Sequence, residues 1–418
     1  MTAEREGLTE QAFIDCIHQE LALPGTCGAG YNSIRFDDEV TRFTLWRNFY
    51  DPYAREYSHG NSRWDLIDVV RAFFALRPDA LTWPYHEDGK PSFKLEHLTA
   101  ANGIEHGAAH DAMSDVLATI ELARKLRGAD SALFDELFAR RFKPAVESLI
   151  DCQSLKPFLY VSGTLGTERH CLTVLAPLAP NPDMASEIIC ADLARAPDFL
   201  DEDPVEVARR LFAKKDELPA SETRPSLVTV RVNRAPLVLP MTALSAKDAE
   251  RLGLDGDVLR ANLTQLREAK TSMGDHFVSR VQSIYGGREH APILDPDAAL
   301  YSGSFLSRAD KATANELRES TPAELRERQW VFADARLPEL LFRYRARNWP
   351  QHLTKDEVVA WREHCQLQWQ TGFSKADFDR ALADELSRAD LSETQRQALV
   401  ELEQWVNQLS QSLAQAIE

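Results

Sequence analysis

The hydrophobic pattern changes twice along the chain, and these changes limit the folds that the chain can adopt. Residues 1–130 combine helical periodicity with one short apolar run, and residues 131–285 hold short β-branched runs broken by Gly and Pro. Residues 288–418 have a helical pattern throughout. Because 418 residues are too many for one ordinary core, the sequence predicts three domains: α/β, a small antiparallel β-barrel and all-α.

The first domain is predicted to contain one strand among several helices. Residues 27–32 (CGAGYN) predict a short buried strand, and residues 35–49 predict a helix with carboxylates in its first turn. Residues 64–76 predict a long helix with Asn61 or Ser62 as its N-cap, and residues 94–101 predict another. The pattern of residues 1–21, which start at Met1, also predicts a helix.

The second and third domains carry clear turn and capping signals. Strands are predicted within residues 158–166, 171–179, 186–194 and 226–240, and a helix is predicted over residues 205–215. In the third domain, Thr321, Thr354 and Ser392 each begin a capping box, with Glu or Gln three residues later. Pro322 occupies a first helical position.

His110 and Asp115 lie five residues apart in IEHGAAHDAMSDV, where a loop leads into a predicted helix. A hydrolase that activates water on a metal needs such a pair, because the carboxylate binds the cation and the histidine accepts a proton near neutral pH. Taken alone, this pattern is more typical of capping or of a solvated surface. Zinc binding by His106 and His110 is disfavoured, because no glutamate follows His106 and no third ligand is near.

A second motif, GYNSIRFDDEV, contains Asn32, Phe36, Asp37 and Asp38. The order N-x-x-x-F-D and then H-D-x-x-x-D resembles the second and third motifs of the DEDDh 3′→5′ exonucleases. Residues 61–78, 91–106 and 341–350, together with the order of the domains, resemble the bacterial exonuclease I family. The resemblance covers essentially the whole chain, more loosely after about residue 180.

This resemblance implies an RNase H-like exonuclease domain over residues 1–130, a Src-homology-3-like domain over 131–285 and a helical C-terminal domain over 288–418. It implies a 3′→5′ exonuclease that degrades single-stranded DNA to 5′-mononucleotides in DNA repair and recombination. Asp37 and Asp115 would bind two Mg²⁺ ions, and His110 would be the general base. Carboxylate and water ligands favour Mg²⁺ over zinc.

The family's first motif, a D-x-E on an opening strand, has no counterpart in the sequence, which starts at Met1 with a predicted helix. The resemblance therefore implies that two further metal-binding carboxylates and the first strands are missing, through clipping or because the true start lies upstream. A chain that begins at Met1 is expected to digest no single-stranded DNA. Restored activity after addition of the upstream strands would support this expectation.

Arg42, Tyr53, Tyr57 and Arg71 interleave aromatic rings with guanidinium groups. Single strands are held in this way, because bases stack on rings while cations follow the phosphates. By resemblance these positions match strand contacts, although Tyr57 replaces a usual tryptophan. Lys94 replaces a usual arginine, which keeps the charge but loses bidentate geometry. The alternative is that the rings fill the core and the arginines are solvated.

The partners that the sequence predicts are single-stranded DNA and the acidic C-terminal tail of single-stranded DNA-binding protein. The net charge of −17 does not exclude DNA, since binding depends on a local groove. By resemblance Arg77, Lys156 and Arg267 match basic positions of the family's tail-binding surface. At other positions of that surface this sequence has different residues from the family. A non-catalytic docking module for DNA or for this tail is the main alternative function. A phosphoesterase for small nucleotides is disfavoured, because it would need neither the aromatic track nor two extra domains.

Localisation is predicted from three features of the sequence. The cysteines are scattered, without a CxxC pair, which is typical of reduced thiols in the cytoplasm. There is no apolar run of about 20 residues and no signal-peptide pattern after Met1. A cytoplasmic monomer that does not bind membranes is therefore expected.

Overall fold

The computed structural model describes residues 7–105, 112–214, 216–287 and 292–414. It divides into two compact units. Unit 1 comprises Met1–Ala22, Val40–Ala54 and Ala291–Glu418, and unit 2 comprises Leu23–Glu39 and Arg55–His290.

The elements before residue 150 form the first third of the fold. In chain order they are α1 (Glu10–Leu21), β1 (Cys27–Gly30), α2 (Asp37–Arg47), α3 (Ala54–Tyr57), β2 (Ser62–Asp65), α4 (Leu66–Leu76), α5 (Leu95–Ala101), α6 (Ala112–Ala129), α7 (Ser131–Ala139) and α8 (Lys143–Glu147). A short 3₁₀ turn, Ser33–Arg35, precedes α2. The helices predicted around Asp37, Lys94 and Asp115 are therefore confirmed, within a residue or two at their ends.

Strands β1 and β2 of unit 2 pair in parallel, with Cys27 opposite Ser62 and Gly30 opposite Asp65. Two predictions are corrected by this pairing. The helix predicted from Trp64 starts only at Leu66, and its N-cap is Asp65, which accepts a hydrogen bond of 3.1 Å from the Ile67 amide. The strand predicted to be buried is partly exposed along its length.

Helix α4 supplies the centre of the unit 2 core because most of its surface is apolar. Val69, Val70 and Phe73 are fully buried, in one cluster with Leu122 and Leu126 of α6. The face that α6 buries is the stripe of Ala118, Leu122 and Leu126. Asp115 lies one turn before this stripe, at a half-buried position.

The later elements of unit 2 are β3 (Phe158–Val161), β4 (Leu172–Pro180), β5 (Glu187–Asp192), α9 (Pro204–Phe212), β6 (Leu227–Arg231), β7 (Leu237–Pro240), α10 (Ala246–Arg251), α11 (Gly256–Met273) and α12 (His276–Ser283). Among the described residues, the strands form a five-stranded antiparallel sheet in the order β6-β5-β4-β3-β7. The predicted β-rich segment is confirmed. The helix predicted over residues 205–215 ends earlier, at Phe212, and is capped by Asp203.

The C-terminal elements of unit 1 are α13 (Arg308–Glu319), α14 (Pro322–Glu327), α15 (Leu337–Asn348), α16 (Lys355–Thr371), α17 (Lys375–Leu386) and α18 (Glu393–Ala414). The predicted capping boxes at Thr321 and Thr354 are present. At Ser392 both reciprocal hydrogen bonds with Gln395 form, at 2.9 and 3.2 Å. Buried Leu317, Leu340 and Tyr344 form the core of this unit.

Two further features concern the cysteines and the length of the helices. The six cysteines, all within the described ranges, are free thiols. Over those same ranges, no helix has the length and apolar character needed to cross a membrane.

Candidate active site and nucleic-acid interface

Asp37 is the first residue of α2, and its side chain is exposed to solvent. Partial burial raises the pKa of Asp37 above its usual value, and the negative charge of Asp38 raises it further. In the described part of the chain, no lysine or arginine forms an ion pair with Asp37. The Asp37 carboxylate is therefore without a cationic partner among the described residues, unlike the carboxylate of Asp38.

Asp38 belongs to a buried charge network that sequence analysis did not find. Its carboxylate accepts hydrogen bonds of 2.8 Å from both Arg55 and Arg63, and Arg63 lies 3.3 Å from Glu56. Arg63 also donates to the Asn233 carbonyl at 3.0 Å. Burial opposes ionisation, but the two guanidinium groups hold the pKa of Asp38 below its usual range. The network fixes the start of α2 and occupies both oxygens of Asp38.

Asp115 is the fourth residue of α6, where its carbonyl accepts a hydrogen bond of 2.8 Å from the Thr119 hydroxyl. His106 and His110 lie outside the described residues, so the structure does not place the predicted general base. Asp37 and Asp115 both belong to unit 2, each in the first turn of its helix. In residues 7–105, 112–214, 216–287 and 292–414, no three His, Cys, Asp or Glu side chains gather as a metal site would.

Of the DNA contacts predicted in unit 1, Tyr53 lines a pocket and Arg42 lies against the Tyr53 ring. Arg42 is only 3% exposed, its guanidinium lies 5.6 Å from the centre of the Tyr53 ring, and it donates to the Tyr301 hydroxyl at 3.2 Å. Tyr53 meets Phe305 edge-on at 5.8 Å, and Phe305 is 82% exposed. With Trp46, these rings line a cavity of about 150 Å³, which we call the aromatic pocket. A guanidinium buried to this degree orients the rings and does not face solvent.

Of the predicted DNA contacts in unit 2, Tyr57 and Lys94 are at the surface and Arg71 is mostly enclosed. Tyr57 is 66% exposed, and the Lys94 ammonium lies 3.7 Å from Glu96 with most of its side chain in solvent. Arg71 is more enclosed, because it pairs with Asp68 and packs over the Phe93 ring at 5.8 Å. Lys94 and Tyr57 are therefore accessible to a ligand, whereas Arg71 has fixed neighbours.

Two of the three predicted tail-binding residues lie beside one loop. Arg267 donates to the Ser154 carbonyl at 3.3 Å, and Lys156 is exposed two residues further along. Arg77, at the end of α4, instead pairs with Asp130 at 2.6 Å. An apolar cavity of about 600 Å³ is lined at one end by Pro157 and at the other by α11, where Leu263 lies one turn before Arg267. We call this cavity the α10–α11 pocket. Its apolar lining includes Val174, Leu244, Leu254, Leu259 and Leu263.

Comparison with protein families covers almost the whole chain. Residues 9–123 match a family described as "Exonuclease", residues 141–286 match the "Exonuclease I SH3-like domain", and residues 294–409 match the "Exonuclease I C-terminal domain". These matches define the class of the protein. It is an exonuclease in which an RNase H-like domain is joined to an SH3-like domain and a helical domain.

Individual relatives narrow this class. Exodeoxyribonuclease I of Escherichia coli K12 is 42% identical over 364 residues, which are 87% of this chain and 75% of the relative. The crystal structure of E. coli exonuclease I with a dA16 oligonucleotide matches with a TM-score of 0.88 and 39% identity, over 96% of this chain and 85% of that one. A structure described as an ExoI/SSB-Ct complex matches with a TM-score of 0.84 and 39% identity, over 97% and 84%.

The chain belongs to the exodeoxyribonuclease I family, whose members are 3′→5′ exonucleases of single-stranded DNA. The resemblance seen in the sequence is thereby confirmed, as are the predicted fold class and enzyme class. Exonucleases of this family depend on a metal ion, so the reaction of this protein is metal-dependent.

Proposed function

We propose that the protein removes 5′-mononucleotides from the 3′ end of single-stranded DNA, with Asp37 and Asp115 as metal-binding carboxylates. The observation that carries this proposal is the contrast between two adjacent acids. Asp38 forms ion pairs with two arginines, whereas Asp37 is exposed and has no ion-pair partner among the described residues. A carboxylate without a cationic partner is free to bind a metal ion, either directly or through a water on that ion.

The donor chemistry of this pair fits Mg²⁺. Carboxylate oxygens are the hard ligands that Mg²⁺ prefers, and it is usually held by one or two carboxylates together with waters and substrate phosphates. Two bound divalent cations would supply Lewis-acid polarisation of the phosphate and an activated water. Asp37 and Asp115 would hold the cations from two helix starts, and His110 would accept the proton of the attacking water.

Strand binding is proposed for side chains in both units. In unit 1, Tyr53 offers a ring for base stacking, and Arg42 behind it holds Tyr53 and Tyr301 in place. In unit 2, exposed Tyr57 offers a second ring and Lys94 an exposed positive charge. Base stacking on such rings is worth roughly 1–3 kcal/mol per base and tolerates any sequence.

The test is hydrolysis of a 5′-labelled single strand by the protein produced from its complete reading frame. With Mg²⁺, we expect a ladder that shortens stepwise from the 3′ end and 5′-mononucleotides as the small product. EDTA should abolish both. A matched duplex without single-stranded ends provides the control. Internal cuts, loss from the 5′ end, or binding of the strand without any hydrolysis would contradict the proposal, and the last result would favour the docking alternative.

A second proposed activity is docking of an acidic C-terminal tail of single-stranded DNA-binding protein. The observation that favours it is the α10–α11 pocket, whose lining includes Pro157, the residue after Lys156, and Leu263, one helical turn before Arg267. An acidic peptide with an apolar end needs both a cavity and neighbouring cations. The free thiols are typical of a reducing compartment, so we propose that both activities belong to the cytoplasm.

A further inference from the structure

The turn that leads from β1 into α2 depends on an acceptor from elsewhere in the chain. We call residues 31–36 the α2 entry turn. Asn32 precedes its 3₁₀ segment, Ser33–Arg35, and in the part of the chain that the structure describes the Asn32 side chain makes no capping hydrogen bond. Asn32 also has a left-handed backbone, with φ 60° and ψ 24°. A residue in this sparsely populated conformation keeps it only where its surroundings hold it.

The acceptor is the carboxylate of Asp65, the last residue of β2. One carboxylate oxygen accepts a hydrogen bond of 2.7 Å from the Asn32 amide, and the other accepts one of 3.1 Å from the Ile34 amide. Asp65 is only 6% exposed, so these bonds lie away from solvent, where they are stronger than in water. The same carboxylate caps α4 through the Ile67 amide. Asp65 therefore joins the entry turn to the helix at the centre of the unit 2 core.

Strand pairing brings this carboxylate to the entry turn. Gly30, the last residue of β1, lies opposite Asp65 in the parallel pair. The chain then turns so closely that a Cβ on Gly30 would come within 2.8 Å of the Ser33 side chain. Glycine is therefore required here, because a larger residue would displace the turn from Asp65. Tyr31 adds a second anchor, since its hydroxyl donates to the Phe93 carbonyl at 2.5 Å.

The entry turn leads directly to the proposed metal ligand. Ile34 precedes Asp37 by three residues, and the Phe36 amide continues the turn by donating to the Ser33 carbonyl at 3.3 Å. On the other side of Asp37, the ion pairs of Asp38 hold the start of α2. Asp37 has no ion-pair partner of its own among the described residues, so its position depends on the backbone before and after it.

We propose that Asp65 is a positioning residue of the exonuclease reaction, whose carboxylate holds the α2 entry turn so that Asp37 is presented to the metal ion. This inference rests on the proposed function, because it explains how Asp37 is placed for that role. Asp65 itself touches neither the metal nor the DNA. Loss of a group that supports a metal ligand typically costs about 10- to 100-fold in metal affinity or activity.

Two substitutions of Asp65 remove different hydrogen bonds. Serine is a good N-cap residue, so Asp65→Ser should keep the cap of α4, but its single hydroxyl cannot also hold both amides of the entry turn. Asp65→Asn keeps one oxygen as an acceptor and loses the other, because an NH₂ group cannot accept from an amide. Asp203→Ser, at the N-cap of α9, is the matched control, since Asp203 caps its helix through the Val205 amide.

Metal binding is measured on the DNA-free protein produced from its complete reading frame. Electron paramagnetic resonance follows the binding of Mn²⁺, which takes the same oxygen ligands as Mg²⁺. For Asp65→Ser we expect a Mn²⁺ Kd that is about tenfold higher and a kcat on single-stranded DNA that is about 10- to 100-fold lower at fixed Mg²⁺. The KM for DNA should stay within about twofold, because the stacking and cationic contacts are unchanged. Asp65→Asn should change Kd and kcat in the same direction by less, and Asp203→Ser should match the wild type.

The outcomes separate this inference from the proposed function. If the wild type hydrolyses DNA with Mg²⁺ while both Asp65 variants bind Mn²⁺ normally, the inference is wrong and the exonuclease proposal stands. A higher KM with an unchanged kcat would also contradict it, because Asp65 would then act on the strand. A wild type without Mg²⁺-dependent hydrolysis would overturn both. Thermal unfolding provides the check on folding: an equal loss of Mn²⁺ affinity in Asp203→Ser would show general destabilisation and refute the positioning role. If Asp65→Ser does not fold, Asp65→Asn decides the question.

Discussion

The Arg63 guanidinium donates a hydrogen bond of 2.8 Å to the Asp38 carboxylate, and less than a tenth of either side chain is exposed. Arg63 lies in β2, while Asp38 lies in the first turn of α2. The pair therefore ties the strand that leads into the central helix α4 to the helix start that presents Asp37. Because the two acids are adjacent, the position of Asp37 depends on this buried pair.

Removal of one partner of the pair should destabilise unit 2. Arg63→Met leaves Asp38 with Arg55 as its partner in a buried site, so we expect a loss of unfolding free energy below the roughly 3–5 kcal/mol of a fully broken buried pair. Urea denaturation followed by circular dichroism measures the change. Arg124→Met, at an exposed position on α6, should change stability by no more than about 0.5 kcal/mol. Equal stability of Arg63→Met and wild type would show that the pair contributes nothing to folding.

Asp38 should also make stability depend on pH on the acidic side. Burial opposes its ionisation, but Arg63 and Arg55 lower the pKa of Asp38 in the folded protein. A group with a depressed folded pKa stabilises fully above its unfolded pKa, about 3.9 for Asp. This stabilisation is lost as pH falls through the lower folded value. The stability difference between wild type and Asp38→Asn should therefore shrink as the pH falls below about 4, and a constant difference would contradict the shift.

Asp115→Asn tests the proposed metal site. We expect hydrolysis of single-stranded DNA to fall by at least about a hundredfold, since changes even in the groups that support metal ligands cost about 10- to 100-fold. Binding of the strand in EDTA should stay within about twofold of the wild type, because the aromatic and cationic contacts are unchanged. Glu121→Gln, on an exposed face of the same helix, is the control. If the Asp115→Asn variant is as active as the wild type, Asp115 is not a metal ligand.

Secondary structure that depends on neighbours within one turn is predicted from the sequence, whereas secondary structure that depends on long-range strand pairing is not. The capping boxes at Thr321 and Thr354 and the helix around Asp115 depend on neighbours within one turn, so the sequence identifies them. The apolar pattern around Trp64 predicts a helix, but pairing of β2 with β1, more than thirty residues earlier, places Trp64 in a strand. Short apolar runs of this kind do not distinguish strand from helix.

The site shows the same division between local and distant information. Asp37 and Asp115 are proposed because their two local motifs together resemble exonuclease motifs, whereas Tyr301 joins Arg42 across a separation of 259 residues. No spacing rule reveals such a contact, and the same is true of Phe305 beside Tyr53. The buried state of Arg42 was missed for this reason, since a sequence shows its charge but not its neighbours.

The aromatic pocket should bind bases, and Arg42 should act through it. Tyr53→Ala removes a stacking ring, so we expect the Kd for single-stranded DNA to rise by about 5- to 150-fold, equivalent to roughly 1–3 kcal/mol. Arg42→Lys should weaken binding and leave the salt slope unchanged, because a buried guanidinium releases no counterion. Tyr85→Ala, an exposed ring of unit 2, is the control. A lower salt slope for Arg42→Lys would instead make Arg42 a phosphate contact.

The α10–α11 pocket yields the prediction that concerns a partner protein. An acidic tail peptide with an apolar end should bind the wild type, and Arg267→Gln should weaken it by about tenfold, because a charged hydrogen bond at an interface contributes about 1.5–3 kcal/mol. Arg127→Gln, an exposed arginine paired with Asp135, provides a charge-matched control. Arg77→Ala should have a smaller effect, since Asp130 already engages Arg77. Isothermal titration of each variant with the peptide decides the question. If Arg267→Gln and Arg127→Gln bind the peptide equally, the docking site lies elsewhere, whereas a loss confined to Arg77→Ala would move it to the end of α4.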